Sequence, residues 1–188
     1  SIRLVYKSSF QGMDIVLTRT KKDPFKAVEE FKVGPSPMMV MVSDGKNVSA
    51  MAMGAPQTLS DKDKEAGIFT AALIEETAIS TMGAKANLTG IEQVEGKDAY
   101  VVEINLPKGE KRVNYYDTQT GLKVQTVTTE DGPNGPQTQA VKYFDYKDYS
   151  GIKFPAVFTF PYGPMTMKFE LAEAVINPKL EDTIFKVQ

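Results

Sequence analysis

The sequence predicts a mainly β protein: a curved antiparallel meander of about 11–12 strands, bent into a half-open barrel, with a helical insert in its concave side. Three observations carry this. Short runs rich in Val, Ile, Thr, Tyr and Phe dominate the chain, and turn signals separate them every eight to fourteen residues. Only residues 60–83 have the apolar spacing of a strong helix. The connectors are short enough to make sequential strands antiparallel neighbours. So many strands exceed what a flat twisted sheet carries comfortably, which makes the sheet curl.

Ile2, Leu4, Tyr6, Ser8 and Phe10 share one face of the first run, opposite Arg3, Lys7 and Ser9, with Val5 as the apolar exception. Gln11-Gly12 turns the chain into a second strand over residues 13–20. Lys21-Lys22-Asp23-Pro24 leads to a third, where Phe25, Ala27, Phe31 and Val33 recur at even spacing. Gly34-Pro35-Ser36-Pro37 precedes a fourth run, MMVMV. Asp44-Gly45 supplies a hairpin turn, and NVSAMAM returns as the fifth. Ser60 then fits a helix N-cap, Asp61 and Asp63 suit the positive end of the helix dipole, and Gly83 marks the stop. Phe69, Leu73 and Thr77 fall on one helix face with Ala66 and Ile74 beside them, and Gly67 is the weak point at which the helix would split in two. Seven more strands are expected over residues 86–94, 97–106, 112–117, 122–130, 138–149, 152–162 and 165–175. Glu95-Gly96, Lys108-Gly109, Gly121, the cluster 132–136, Ser150-Gly151 and Tyr162-Gly163-Pro164 join them; the 132–136 cluster reads as a mobile tip.

The composition excludes whole chemistries, because the chain has no His, Cys or Trp. It cannot supply a His-based triad, a Cys nucleophile, a thiolate or imidazole zinc site, an iron–sulfur ligand set or a CxxC redox pair. No catalytic residue, metal ligand set or cofactor is assigned. A formal net charge of −2 gives no basic field for a phosphate backbone, so nucleic acid is not an expected partner. The charges are scattered, as in KKD, DKDKE and KGEKR, and read as a solvated surface. No apolar stretch approaches the ~18–20 residues of a membrane-spanning helix. At 188 residues the chain reads as one domain over 1–188. It opens inside an apparent strand, without Met or a leader, so a removed upstream segment is expected.

Several short motifs have a plainer structural reading. Ser43-Asp44-Gly45-Lys46 matches Ser-x-x-Lys, in which a lysine activates a serine that opens a helix; here Asp-Gly lies between two alternating apolar runs and reads as a hairpin. Tyr143 and Lys147 have the spacing of a Tyr-x-x-x-Lys pair, but that spacing needs a helix and this segment reads as strand. Asp61, Asp63 and Glu65 alternate with lysines and lack the glycine of a calcium loop. Glu29-Glu30 and Glu75-Glu76 are expected to face solvent at least in part.

Methionine stands out. Five of the nine lie in two adjacent strands as Met38, Met39, Met41, Met51 and Met53. Flexible thioethers fill ordinary cores, and they also adapt to irregular apolar ligands. On the second reading they line a groove for a lipid tail or an acylated protein, with Met39, Met41, Met51 and Met53 on one face, and Met165, Met167 and Phe169 extending it. The expected ligand-binding set is Phe10, Leu17, Phe31, Met39, Met41, Met51, Met53, Phe69 and Leu73. At about 0.8 kcal/mol per buried methylene, a fourteen-carbon chain gains on the order of 11 kcal/mol before ordering costs.

Two longer stretches carry a resemblance. GIEQVEGKDAYVVEINLPKGEKRVNYYDTQTGLKVQTV holds a Gly-x-Glu-x-Val-x-Gly-Lys hairpin followed by a Tyr-Tyr-Asp-x-x-Thr-Gly-Leu hairpin. DYKDYSGIKFPAVFTF follows, then VINPKLEDTIFKV. With SDGKNV at the fourth hairpin and a helical insert between two meanders, the chain resembles the outer-membrane lipoprotein carrier (LolA-like) superfamily over most of its length. The patterns are similar to exported proteins of Bacteroidetes type, including domains appended to insulinase-like zinc peptidases. The resemblance implies a curved sheet with helices in its hollow, a periplasmic or otherwise exported setting, and noncatalytic binding of lipid or acylated protein. A second implication is an accessory domain of a larger zinc peptidase, its hollow filled by its own helix. The family's N-terminal helix would precede the first strand, so a single LolA-like domain lacking that helix is expected. Its arginine in the hollow, which helps control lid closure, is not assigned to Arg3, Arg19 or Arg112.

Overall fold

A computed structural model describes residues 1–132, 135–163 and 165–187. Six strands come first: β1 (Ile2–Phe10), β2 (Met13–Lys22), β3 (Lys26–Val33), β4 (Ser36–Asp44), β5 (Val48–Ala52) and β6 (Ala55–Gln57). Two helices follow, α1 (Asp61–Ala71) and α2 (Glu75–Thr81). The second series is β7 (Lys85–Val94), β8 (Lys97–Asn105), β9 (Lys111–Asp117), β10 (Lys123–Gly132), β11 (Gly135–Tyr149), β12 (Ile152–Tyr162) and β13 (Met165–Ile176). All 13 strands form one open, curved antiparallel sheet in the order β6-β5-β4-β3-β2-β1-β13-β12-β11-β10-β9-β8-β7. The half-open meander read from the sequence is therefore the observed fold, with β6 as the strand beyond the expected count. Pro133, Asn134 and Pro164, which belong to two of the expected turns, lie outside the described residues.

Every neighbouring pair but one is a sequential hairpin. The exception joins the two series: β1 lies against β13, with Ile2 opposite Ile176 and Leu4 opposite Ala174. Their register slips between Val5 and Tyr6, a bulge of the kind that increases bend and twist. Beside this seam sits the core, in which Ile2, Leu4, Tyr6, Ile15, Leu17, Phe154, Phe158, Met167 and Phe169 are buried together. Phe158 and Phe169 stack at 4.8 Å, and Tyr6 meets Phe158 edge-on at 5.0 Å.

The helices lie on the same side of the sheet. Ser60 caps α1 as expected: its hydroxyl accepts from the Asp63 amide, and the Asp63 carboxylate accepts from the Ser60 amide. The break between helices falls at residues 72–74 rather than at Gly67. Gly67 is instead buried in mid-helix, where a Cβ would lie 3.0 Å from Val48 Cγ1 and 3.6 Å from Met41 Sδ. Its missing side chain lets α1 approach β4 and β5, and that gain outweighs the lower helix propensity of glycine. Phe69, Ala72 and Ala78 of the helical region pack with Ile104 and Leu106 as a second apolar cluster.

Ser43 and Asp44 act as turn residues, as expected. Ser43 Oγ donates to the Phe25 carbonyl, and the Asp44 carboxylate accepts from the Lys46 and Asn47 amides. Gly45 has φ +95°, and a Cβ there would lie 2.8 Å from the Pro24 carbonyl oxygen. Tyr143 and Lys147 lie on β11, not on a helix.

Candidate functional site: a hollow divided by charge

Strand parity and register determine what faces the helices. On β2 the core residues Ile15 and Leu17 are followed on the same face by Arg19 and Lys21. On β3, Phe31 lies opposite Leu17, Glu29 opposite Arg19 and Ala27 opposite Lys21. The apolar face thus turns ionic toward the helix-covered end of the hollow. Arg19 Nε donates to Glu29 Oε2 at 2.8 Å, and its guanidinium lies over the Phe158 and Tyr6 rings at 5.3 and 5.9 Å. Lys21 Nζ donates to the carbonyls of Thr70 and Ala72, at 2.5 and 2.9 Å. These groups belong to the C-terminal end of α1, which has no basic residue in its own last turn. A lysine from the sheet therefore supplies the cation that this helix end favours.

Glu75, at the start of α2, continues the cluster. Its Oε2 accepts from Lys123 Nζ at 2.8 Å and lies 3.7 Å from Arg112 Nη1. Arg112 is nearly inaccessible, pairs with Glu110 at 2.5 Å and lies 4.6 Å over the Phe69 ring. Tyr116 Oη donates to Glu76 Oε1 at 2.8 Å and accepts from Asn114 Nδ2 at 3.0 Å. Burial pushes the Glu75 carboxyl upward, but Lys123, Arg112 and Lys21 overcome it and hold the group at about 2. Burial dominates at Lys21, pulling the amine down to about 8 against the attraction of Glu75. Burial likewise pushes the Tyr6 hydroxyl up to about 12.

Two cavities flank this cluster. One, of about 670 Å³, lies between α1 and the sheet and is lined by Met41, Gly67, Thr70, Arg112, Thr126, Tyr143 and Phe160 among others. The second, about 530 Å³, is lined mostly by apolar groups including Ile2, Leu4, Leu73, Ile152 and Phe154. Arg19, Lys21, Glu75 and Tyr143 border both, so these ionic groups divide the hollow where α1 ends. Away from the helices an apolar floor continues: Phe31 opposite Met39, Phe10 opposite Met13, and Tyr162 opposite Met165. Phe10 and Tyr162 meet edge-on at 6.1 Å. Phe160 belongs to this floor and also lines the larger cavity.

The sequence-derived residues are dispersed through this arrangement. Met41 lines the larger cavity and Leu73 the smaller. Leu17 is buried in the core, and Phe10 and Phe31 pack at its margin. Phe69 is fully buried beneath Arg112. Met39 is on the floor, half exposed. The expected cofacial set of Met39, Met41, Met51 and Met53 does not form. Met39 pairs with Ala52 and Met41 with Ala50, whereas Met51 pairs with Val40 on the opposite face. Met53 lies in the turn after β5 and is 76% exposed. The cause is the hairpin: Ser43 pairs with Val48 across a four-residue loop, so odd-numbered residues of β4 lie opposite even-numbered residues of β5. The glutamate pairs face solvent in part, as expected, with Glu76 more open than Glu75, while Glu29 and Glu75 join Arg19, Lys123 and Arg112 at the hollow. The reading of KKD and KGEKR as solvated surface is corrected, because Lys21, Glu110 and Arg112 turn inward.

An open curved sheet with helices seated in its hollow defines an architecture shared with solved proteins. No protein-family profile matches the sequence, and no curated protein is similar to it. A LolA superfamily protein from Nitrosomonas europaea superposes with a TM-score of 0.66, covering 99% of this chain and 89% of that one at 11% identity. A domain named for outer membrane lipoprotein sorting, from Vibrio parahaemolyticus, gives 0.62 over 98% and 88% at 11% identity. A DUF1329 family protein from Desulfovibrio piger gives 0.58 over 98% and 88% at 13% identity. The fold is therefore LolA-like.

Proposed function

We propose that this chain is a noncatalytic, exported binding domain that accepts an acyl chain, free or carried by a protein, in its hollow. The observation that carries the reading is the apolar floor from Phe10 and Tyr162 to Phe160, continuous there with a cavity of about 670 Å³. That volume lies within the ~300–1,000 Å³ usual for small-molecule sites. The ionic cluster sits at the far side of the cavity, where it favours a ligand with a polar end over plain hydrocarbon. The names of the structural neighbours, one of them for lipoprotein sorting, agree with such a role.

The face assignment gives the test. Native mass spectrometry of the chain expressed in a bacterial periplasm is expected to find co-purified lipid, and titration with a fluorescent fatty acid is expected to saturate. Met41→Asp, on the cavity wall, abolishes uptake; Met51→Asp, on the opposite face, leaves it unchanged. Absence of bound lipid, or equal loss in both variants, refutes the assignment. The second reading is an accessory domain of a larger exported zinc peptidase, with the hollow self-filled. It draws on Leu73, which packs onto the core from the helix junction, and it predicts no lipid in either experiment.

A further inference from the structure

The two free edges of the sheet differ. β6 has three residues and includes Pro56, which has no N–H to offer a neighbour. β7 has ten residues, no proline, and is exposed at every position but Val94. Leu88 and Ile91 are 65% and 58% exposed, and Tyr100 stands opposite Ile91 on β8. We propose that β7 is a self-pairing edge on which a second copy of this chain docks antiparallel, with Lys85 of each copy opposite Glu92 of the other.

The register of β7 explains why a copy of the same strand fits. Residues seven apart on a regular strand face opposite sides of a sheet. β7 is not regular: its register with β8 slips between Leu88 and Gly90. Ala86, Leu88 and Ile91 lie opposite Ile104, Val102 and Tyr100, which alternate along β8 and therefore share the helix-side face. Lys85 and Glu92 lie opposite Asn105 and Ala99, on the outer face, where the Tyr115 hydroxyl donates to Glu92 at 3.3 Å.

Two such strands related by a twofold axis normal to the sheet match face to face. Lys85 meets Glu92, Ala86 meets Ile91 and Asn87 meets Gly90, each twice by symmetry. Opposite charges paired across strands stabilise, and like charges do the reverse. A symmetric pairing centred on Glu92 would set two carboxylates against each other. A bulge usually protects an edge; here it makes the charge pattern self-complementary. The joined sheets would open their hollows on the same side.

Sedimentation equilibrium of the purified chain is expected to show a dimer. Lys85→Glu and Glu92→Lys each place like charges at both symmetric contacts and raise the dissociation constant about tenfold or more. The double variant, K85E with E92K, restores opposite charges and returns the constant toward that of the parent. Circular dichroism and thermal melting verify that each variant is folded. A chain that stays monomeric at its highest soluble concentration overturns the proposal, as does a dimer indifferent to both reversals or a double variant as weak as the singles. Open-ended oligomers would make β6 the occupant of the β7 edge and overturn it too.

Discussion

Glu75 ties the helical insert to the sheet through Lys123 and Arg112, and its carboxyl is held at about 2 although burial opposes the charge. A carboxyl whose folded value lies below its unfolded one contributes stability above the unfolded value, and that contribution is lost as pH falls through the folded one. The contribution is up to about 3 kcal/mol at neutral pH. Chemical denaturation from pH 7 to pH 2 is therefore expected to show stability falling mainly below pH 4.5, and Glu75→Gln to flatten that fall while lowering stability at pH 7. A parallel acid profile in the variant would place the acid sensitivity elsewhere. These residues were legible in part. Arg19 and Lys21 continue the inward parity set by Ile15 and Leu17, a signal present in the sequence but outweighed by the habit of placing charge on the surface. Glu75 carried no such signal, because its environment depends on β9 and β10, far away in sequence.

Among the elements, α1 shows how a local rule yields to packing. Propensity marks Gly67 as a breaking point, yet the helix runs through it and stops at Ala71, where the sheet's Lys21 donates to the Thr70 and Ala72 carbonyls. Gly67→Ala is expected to destabilise the chain despite the better helix former, by about 1–3 kcal/mol, since its Cβ meets Val48 at 3.0 Å. Val48→Ala in the same molecule should recover part of the loss, and urea melts of the two single variants and the double variant measure that coupling. Additive losses would mean that Val48 is not the obstacle. Strand limits were readable to within a few residues because hairpin chemistry is local. Facing was not: the side on which Met51 lies depends on how many residues the preceding turn contains, and the approximate place of a turn does not supply that number.

At the scale of the molecule, the two series of strands are each continuous in sequence, and among the described residues β1 with β13 is the one strand pairing that joins them. The meander and its curl could be anticipated from spacing alone. The ionic partition of the hollow could not, since it assembles groups from β2, β3, β9, β10 and α2. Cutting the chain between Gly83 and Lys85 is expected to yield two fragments that are insoluble or unfolded alone and co-purify as a folded pair; failure to recombine would mean that this seam and the helix contacts do not suffice. During synthesis the same arrangement imposes a delay. β1 waits for β13, so the sheet exists as two unjoined wings, each with an oily margin, until β13 has emerged. A polypeptide built this way closes its centre last, when β13 arrives to pair with β1.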